Sequence, residues 1–170
     1  NFNGEKGNFF FEKKIDIKKF EKKINFKISN KQNFIEYSEI GFKYLKDITK
    51  IIKKNTGGLL LIDYGYTEKK MKNTLQAISN HKFANILENI GNSDITHNIS
   101  FNLFKNFVKK IGDLSNNLTT QKEFLTQMKI EQRAEIISKN LSFSKKADIY
   151  LRLNRLINEK QMGNLFKVML

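Results

Sequence analysis

Gly57-Gly58-Leu59-Leu60-Leu61-Ile62-Asp63-Tyr64-Gly65-Tyr66 is the stretch that decides the fold. Two glycines turn the chain into a short apolar run that ends at an acid, an aromatic and a third glycine. Glycine suits turns and close backbone approach because it has no Cβ. Leu59 to Ile62 are apolar without alternation, as expected of a strand covered on both faces. Ligands of open α/β sheets bind beyond the carboxyl ends of the strands. That places Asp63 and Tyr64 at a ligand-facing rim. A plain buried strand followed by a turn fits the same residues.

Outward from that strand, the expected elements alternate. Phe9, Phe11, Ile15 and Ile17 are evenly spaced and predict a strand over 9–17. Ile24, Phe26 and Ile28 predict a second, the two forming an exposed β excursion within residues 1–30. Phe34 to Ser38 fits a short strand, with Ser38 as N-cap of a helix over 39–54 that sets Phe42, Leu45, Ile48 and Ile52 on one face. Residues 66–99 have no sustained period and read as an active-site loop or lid with short helices. A helix over 100–111 follows, with Phe101, Phe104, Val108 and Ile111 inward. Leu118 to Thr120 reads as a brief strand, and Glu123 to Asn140 as a helix broken near Lys129-Ile130. A further helix, capped by Ser142 or Ser144, buries Ala147, Tyr150, Leu151 and Leu153 or Leu156. Residues 165–170 close as a strand.

Composition narrows the function classes. The chain has 170 residues, no Cys and two histidines, which removes disulfides, thiolate chemistry and any familiar metal-ligand spacing. No segment reaches the roughly 18 unbroken apolar residues of a membrane-spanning helix. Net charge is +14, with 31 basic residues, of which only Arg133, Arg152 and Arg155 are arginines. Abundant Lys, Asn, Ile and Phe beside absent Pro and Trp is the composition an AT-rich genome writes. The lysines are dispersed in short pairs, so a solvated surface is favoured over a nucleic-acid interface, with an acidic partner as the alternative.

Single residues carry chemistry less clearly. His81 fits a proton carrier or a hydrogen-bonded structural residue. Asp94 and Thr96 fit a pocket wall or the cap of a turn. Tyr64 fits a stacking platform or plain packing.

The order of several segments says more. Leu61-Ile62-Asp63-Tyr64-Gly65-Tyr66 is followed by Thr74-Leu75-Gln76-Ala77, Asn80-His81-Lys82-Phe83 and Leu87-Glu88-Asn89-Ile90-Gly91. Ser93-Asp94-Ile95-Thr96, Phe101, Thr120-Gln121-Lys122-Glu123-Phe124-Leu125, Ile130-Glu131-Gln132-Arg133 and Met162-Gly163-Asn164-Leu165-Phe166-Lys167-Val168 come next. Together, over roughly residues 34–170, they resemble the C-terminal half of the MidA-like class I S-adenosylmethionine-dependent methyltransferases, relatives of the arginine methyltransferase of mitochondrial complex I assembly.

The resemblance implies an α/β fold: the C-terminal portion of a Rossmann-like seven-stranded sheet with a β-hairpin excursion and added helices. Residues 1–170 are then a single partial domain. It implies methylation of a protein arginine, linked to complex I assembly, with S-adenosylmethionine as cofactor. The main cofactor-binding motif is expected upstream of Asn1, so this portion alone is expected to be inactive. Asp63, Tyr64, Thr74, Gln76, His81 and Asp94 are the expected substrate-binding residues. A protein substrate is expected, such as a complex I subunit, with no nucleic acid and no membrane span, in a bacterial cytoplasm or a mitochondrial matrix. A non-catalytic assembly factor that keeps the fold, and an RNA-binding protein, are the competing readings. One departure stands out. Where the family tends to read Asp-Leu-Thr-x-His-Val-Asp-Phe, this chain reads Asp94-Ile95-Thr96-His97-Asn98-Ile99-Ser100-Phe101, so Asn98 and Ser100 stand at the His and Asp positions.

Overall fold

A computed structural model describes residues 16–87 and 91–170. The strand expected over 9–17 falls almost wholly outside them. Its supposed partner is not a strand. Residues Ile17–Ile24 form helix α1, capped by Asp16, whose carboxylate accepts from the Lys19 amide at 3.1 Å, and ended by Asn25 at φ 53°. Of the alternating Ile24, Phe26 and Ile28, the first ends this helix and the other two follow its Asn25 cap in irregular chain. Ile24 and Ile28 are buried in the core, with Phe20.

Residues 34–38 form no regular strand, but Ser38 does cap α2 (Glu39–Asn55), its hydroxyl accepting from the Gly41 amide at 3.0 Å. The central strand β1 (Leu61–Tyr66) runs three residues past Asp63. In place of short helices, the described part of 66–99 holds three short strands, β2 (Gln76–Ser79), β3 (Lys82–Ala84) and β4 (Asp94–Thr96). Then come β5 (Ile99–Ser100), α3 (Phe101–Gly112) and β6 (Leu118–Thr120). The helices α4 (Gln121–Gln127), α5 (Ile130–Ser138), α6 (Phe143–Ile157) and α7 (Met162–Leu165) lead into β7 (Phe166–Met169). Lys129 at φ 60° makes the expected break between α4 and α5.

The main sheet has the order β5-β1-β7-β6. β1 and β5 are parallel, whereas β7 is antiparallel to both β1 and β6, with Leu61 opposite Met169 and Asp63 opposite Lys167. A separate antiparallel sheet has the order β3-β2-β4. This is the mixed α/β architecture the sequence predicts.

Helices α2 and α3 pack together beside the main sheet. Phe42, Phe101 and Phe107 are wholly buried there. The Phe42 ring meets Phe107 edge-on at 4.6 Å, an arrangement aromatic quadrupoles favour. The other face of β1 is less covered than its apolar run suggests: Ile62 and Tyr64 are each 44% exposed. On α6 the half-buried apolar residues are Ala147, Ile149, Leu153, Leu156 and Ile157. Tyr150 and Leu151, expected inward, are exposed.

Candidate functional site at the carboxyl end of the central strand

The chain leaves β1 through residues 67–75, and this loop is held at four places. Gln32 supplies two, its amide nitrogen donating to the Lys69 carbonyl at 2.9 Å and its amide oxygen accepting from the Met71 N–H at 2.8 Å. The Tyr66 hydroxyl accepts from the Lys72 N–H at 3.3 Å. The Lys72 ammonium lies 5.5 Å from the centre of the Tyr66 ring and pairs with Glu68. That hydrogen bond from Lys72 is the main reason the Glu68 carboxyl lies below its usual range.

Thr74 is the fourth and most connected anchor. Its hydroxyl donates to Glu36 Oε2 at 2.5 Å, and its backbone N–H points to Glu36 Oε1 at 3.4 Å. The same hydroxyl oxygen accepts from the Asn98 N–H at 2.9 Å. Two residues further on, the Gln76 amide donates to the Thr96 hydroxyl at 3.1 Å. The base of the small sheet is thereby fastened beside the carboxyl end of β1.

Residues paired directly across antiparallel strands share a face. Gln76 is opposite Thr96, and Ile78 is opposite both Asp94 and Phe83. One face of the small sheet therefore carries Gln76, Ile78, Phe83, Asp94 and Thr96. Phe83 is 79% exposed and Asp94 is also exposed. The face is open, with an acid and two neutral hydrogen-bonding side chains near its base.

The six expected site residues thus divide. Thr74, Gln76 and Asp94 come together on or beside the small sheet. His81 does not join them. It forms, with Asn80, the two-residue turn between β2 and β3, at φ 61° and 49°. Positive φ at both central residues is the signature of a type I′ hairpin. His81 stands beyond the far end of β2, roughly 13 Å from Gln76 at strand rise.

Asp63 and Tyr64 also lie apart. Pairing of Gly65 and Tyr66 with Ile99 and Ser100 prolongs β1, so Asp63 is in mid-strand, about 10 Å short of the strand's end. Its carboxylate accepts from the Tyr64 N–H at 2.7 Å, and Lys167 stands opposite. Partial burial pushes the Lys167 ammonium down from its usual value. Tyr64 packs, its ring 4.2 Å from that of Phe166. The residue that sequence reasoning missed is Glu36. Its only local sign is an acid set between Ile35 and Tyr37, two residues before a helix cap.

A cleft of about 460 Å³ lies on the small sheet, lined by Ile78, His81, Lys82 and Phe83, and one of about 410 Å³ includes Lys69, Lys70 and Met71 of the loop. Others lie elsewhere. One of about 920 Å³ runs beside α1 and includes Lys18, Lys22, Lys27 and Lys110. Another of about 480 Å³ opens at the amino end of β1, around Gly57 and Gly58. Beside Glu36 and Asn98 there is only a cavity of about 20 Å³, room for a single water. Among the described residues no group of three or more His, Cys, Asp or Glu is placed to hold a metal.

The described residues thus form a mixed α/β fold whose loop 67–75 is fastened at the carboxyl end of the central strand. Residues 5–121 match the family described as "Putative S-adenosyl-L-methionine-dependent methyltransferase", and the chain belongs to that family. The MidA-like resemblance of the sequence segments is thereby shown. The chain is 29% identical over 126 residues to the mitochondrial protein arginine methyltransferase NDUFAF7 of Xenopus tropicalis, a stretch that is 72% of this chain and 28% of that relative. It is 34% identical over 90 residues to the Caenorhabditis elegans homologue, 51% of this chain and 21% of that one. The chain therefore spans less than a third of the curated relatives it matches.

Among solved structures, a methyltransferase-like protein from Burkholderia thailandensis bound to S-adenosyl-homocysteine superposes with a TM-score of 0.61 at 20% identity, covering 78% of this chain and 35% of that one. A second structure from the same organism gives 0.61 at 21% identity, covering 74% and 35%. At these identities the likeness shows the fold.

S-adenosylmethionine is the family's cofactor. Close backbone approach to a bound nucleoside calls for an open glycine turn at a strand's carboxyl end. The described residues do not supply that turn. Gly65 is closed, since a Cβ there would lie 2.5 Å from the Ile99 carbonyl oxygen and 2.5 Å from the Phe101 ring. Gly57 and Gly58 are open but stand at the amino end of β1.

Proposed function

We propose that this chain is the acceptor-side, C-terminal part of a Rossmann-like protein-arginine methyltransferase linked to the assembly of respiratory complex I. The donor is the family's S-adenosylmethionine, held chiefly by residues outside those described. The reading is supported by the names of the curated relatives. The observation that carries it is the loop 67–75, fastened at the carboxyl end of β1 beside an open sheet face bearing Gln76, Asp94 and Thr96.

A guanidinium is recognised best by a carboxylate that can accept two parallel hydrogen bonds. Asp94 is exposed for that purpose, with Gln76 and Thr96 beside it. Thr74 sets the height of this face above the strand end. Holding the acceptor nitrogen in line supplies much of the rate of a group transfer. A guanidinium nitrogen that gains a methyl group also gives up a proton, and a neighbouring carboxylate stabilises the cation until it does. Asp63, Tyr64 and His81 have no part in this arrangement. We place the protein in a bacterial cytoplasm or a mitochondrial matrix. None of the helices formed by the described residues is long and apolar enough to cross a membrane.

The test is transfer of labelled methyl from S-adenosylmethionine by the full gene product to proteins of its own cell extract. Recovery of label as methylated arginine after acid hydrolysis supports the reading. Label on another residue type, or none despite measurable binding of S-adenosyl-homocysteine, overturns it.

A further inference from the structure

Three segments far apart in sequence meet at one hydroxyl group. Glu36 precedes α2, Thr74 ends the loop that leaves β1, and Asn98 joins β4 to β5. Thr74 lies 38 residues from Glu36 and 24 from Asn98. The Glu36 carboxylate is half-buried, and Thr74 bonds to both of its oxygens. The Thr74 hydroxyl donates its one proton to Glu36 and keeps a lone pair for the Asn98 amide. A hydrogen bond to an ionised acceptor is stronger than a neutral one, so the carboxylate is the anchor of the set.

Its position gives it leverage. Thr74 stands two residues before Gln76 and Asn98 two residues after Thr96, the residues paired at the base of the small sheet. Both chain connections of that sheet to the main sheet therefore pass through this clamp. Whatever tilts Thr74 and Asn98 tilts the face that carries Gln76, Asp94 and Thr96.

We propose that Glu36 is a positioning residue for the methyl acceptor: acting through Thr74 and Asn98, it fixes the small sheet's acceptor face relative to the carboxyl end of β1. This rests on the reading given under Proposed function. Glu36 itself touches neither the donor nor the acceptor.

The experiment compares Glu36→Ala, Thr74→Val, Thr74→Ser and the double variant E36A/T74V in the full gene product. Amide hydrogen exchange is followed across the small sheet, together with S-adenosyl-homocysteine affinity, KM for the acceptor and kcat. The expected result is about tenfold faster exchange at residues 74–79 and 94–98 in E36A and T74V, with exchange in α2 and α3 unchanged. Acceptor KM rises about tenfold while cofactor affinity and kcat stay within twofold. T74S, which keeps the hydroxyl, behaves as the parent, and the double variant is no worse than either single one. Unchanged exchange in the small sheet overturns the proposal. So does a fall in kcat or in cofactor affinity at constant acceptor KM. Should the parent protein methylate no arginine, the functional reading fails, while the exchange data still decide whether the clamp exists.

Discussion

The Phe101 ring occupies the space in which a side chain on Gly65 would stand. A Cβ at Gly65 would lie 2.5 Å from the ring carbon Cδ2 and 2.5 Å from the carbonyl oxygen of Ile99, on the strand that pairs with β1. Phe101 is wholly buried and opens α3. The glycine is thus required by close approach of ring and backbone.

Gly65→Ala is therefore expected to destabilise the chain by about 2–3 kcal/mol, the upper range for overpacking a rigid site. Urea unfolding followed by circular dichroism measures it. A midpoint equal to the parent's would show that β5 and α3 move aside at no cost.

Phe42 carries the core. Its ring meets Phe107 at 4.6 Å, Phe104 at 5.9 Å and Phe20 at 6.0 Å, and it has no exposed surface. Phe42→Ala is expected to cost about 3–5 kcal/mol, and Phe42→Leu visibly less. Thermal unfolding of the two variants checks the order, and equal losses would contradict it.

Glu21 makes acid sensitivity predictable. Its Oε1 accepts from the Ile28 N–H, the Ser29 N–H and the Ser29 hydroxyl at 2.7–2.8 Å. The Ser29 backbone bond is the largest cause holding its carboxyl below the ordinary value of 4.5. A carboxyl depressed on folding adds stability above its unfolded pKa. That contribution is whole at neutral pH, declines as the pH falls below about 4.5, and vanishes below the depressed value. Glu21→Gln should narrow its deficit against the parent as the pH is lowered from 6 to 3, by an amount that solvent screening keeps small. A deficit that is constant with pH would refute the assignment.

For the acceptor face, Asp94→Asn in the full gene product should raise acceptor KM about tenfold or more, the loss expected of a hydrogen bond to a charged group. His81→Asn should leave it within twofold, because asparagine tolerates the left-handed turn conformation and the residue stands at the far tip. Steady-state kinetics with a protein acceptor separate the two. Equal effects would return His81 to the site.

Much of the fold is legible in the sequence because the signals are local. The Ser38 cap, the apolar face of α2, the break at Lys129 and the closing strand each depend on a few neighbouring residues. Ile24, Phe26 and Ile28 show where locality misleads, since their alternation reads as a strand, whereas Ile24 ends α1 and the other two follow the Asn25 cap. On α6 the sequence offers two apolar stripes. Which one turns inward depends on α4, α5 and α7, so Tyr150 and Leu151 are misassigned. The strands β2 to β4 are too short for alternation to register. Glu36 is the clearest case, because its meaning depends on Thr74, 38 residues away.

Phe83 shares a sheet face with Asp94, two strands or about 10 Å away, and the chain contains no cysteine. Phe83→Cys would therefore be the only thiol among these 170 residues, on a side chain already turned to solvent. An environment-sensitive dye attached there would change its emission when a polypeptide settles over the face. Acceptor arrival then becomes an optical signal, readable in a stopped-flow instrument before any methyl group moves.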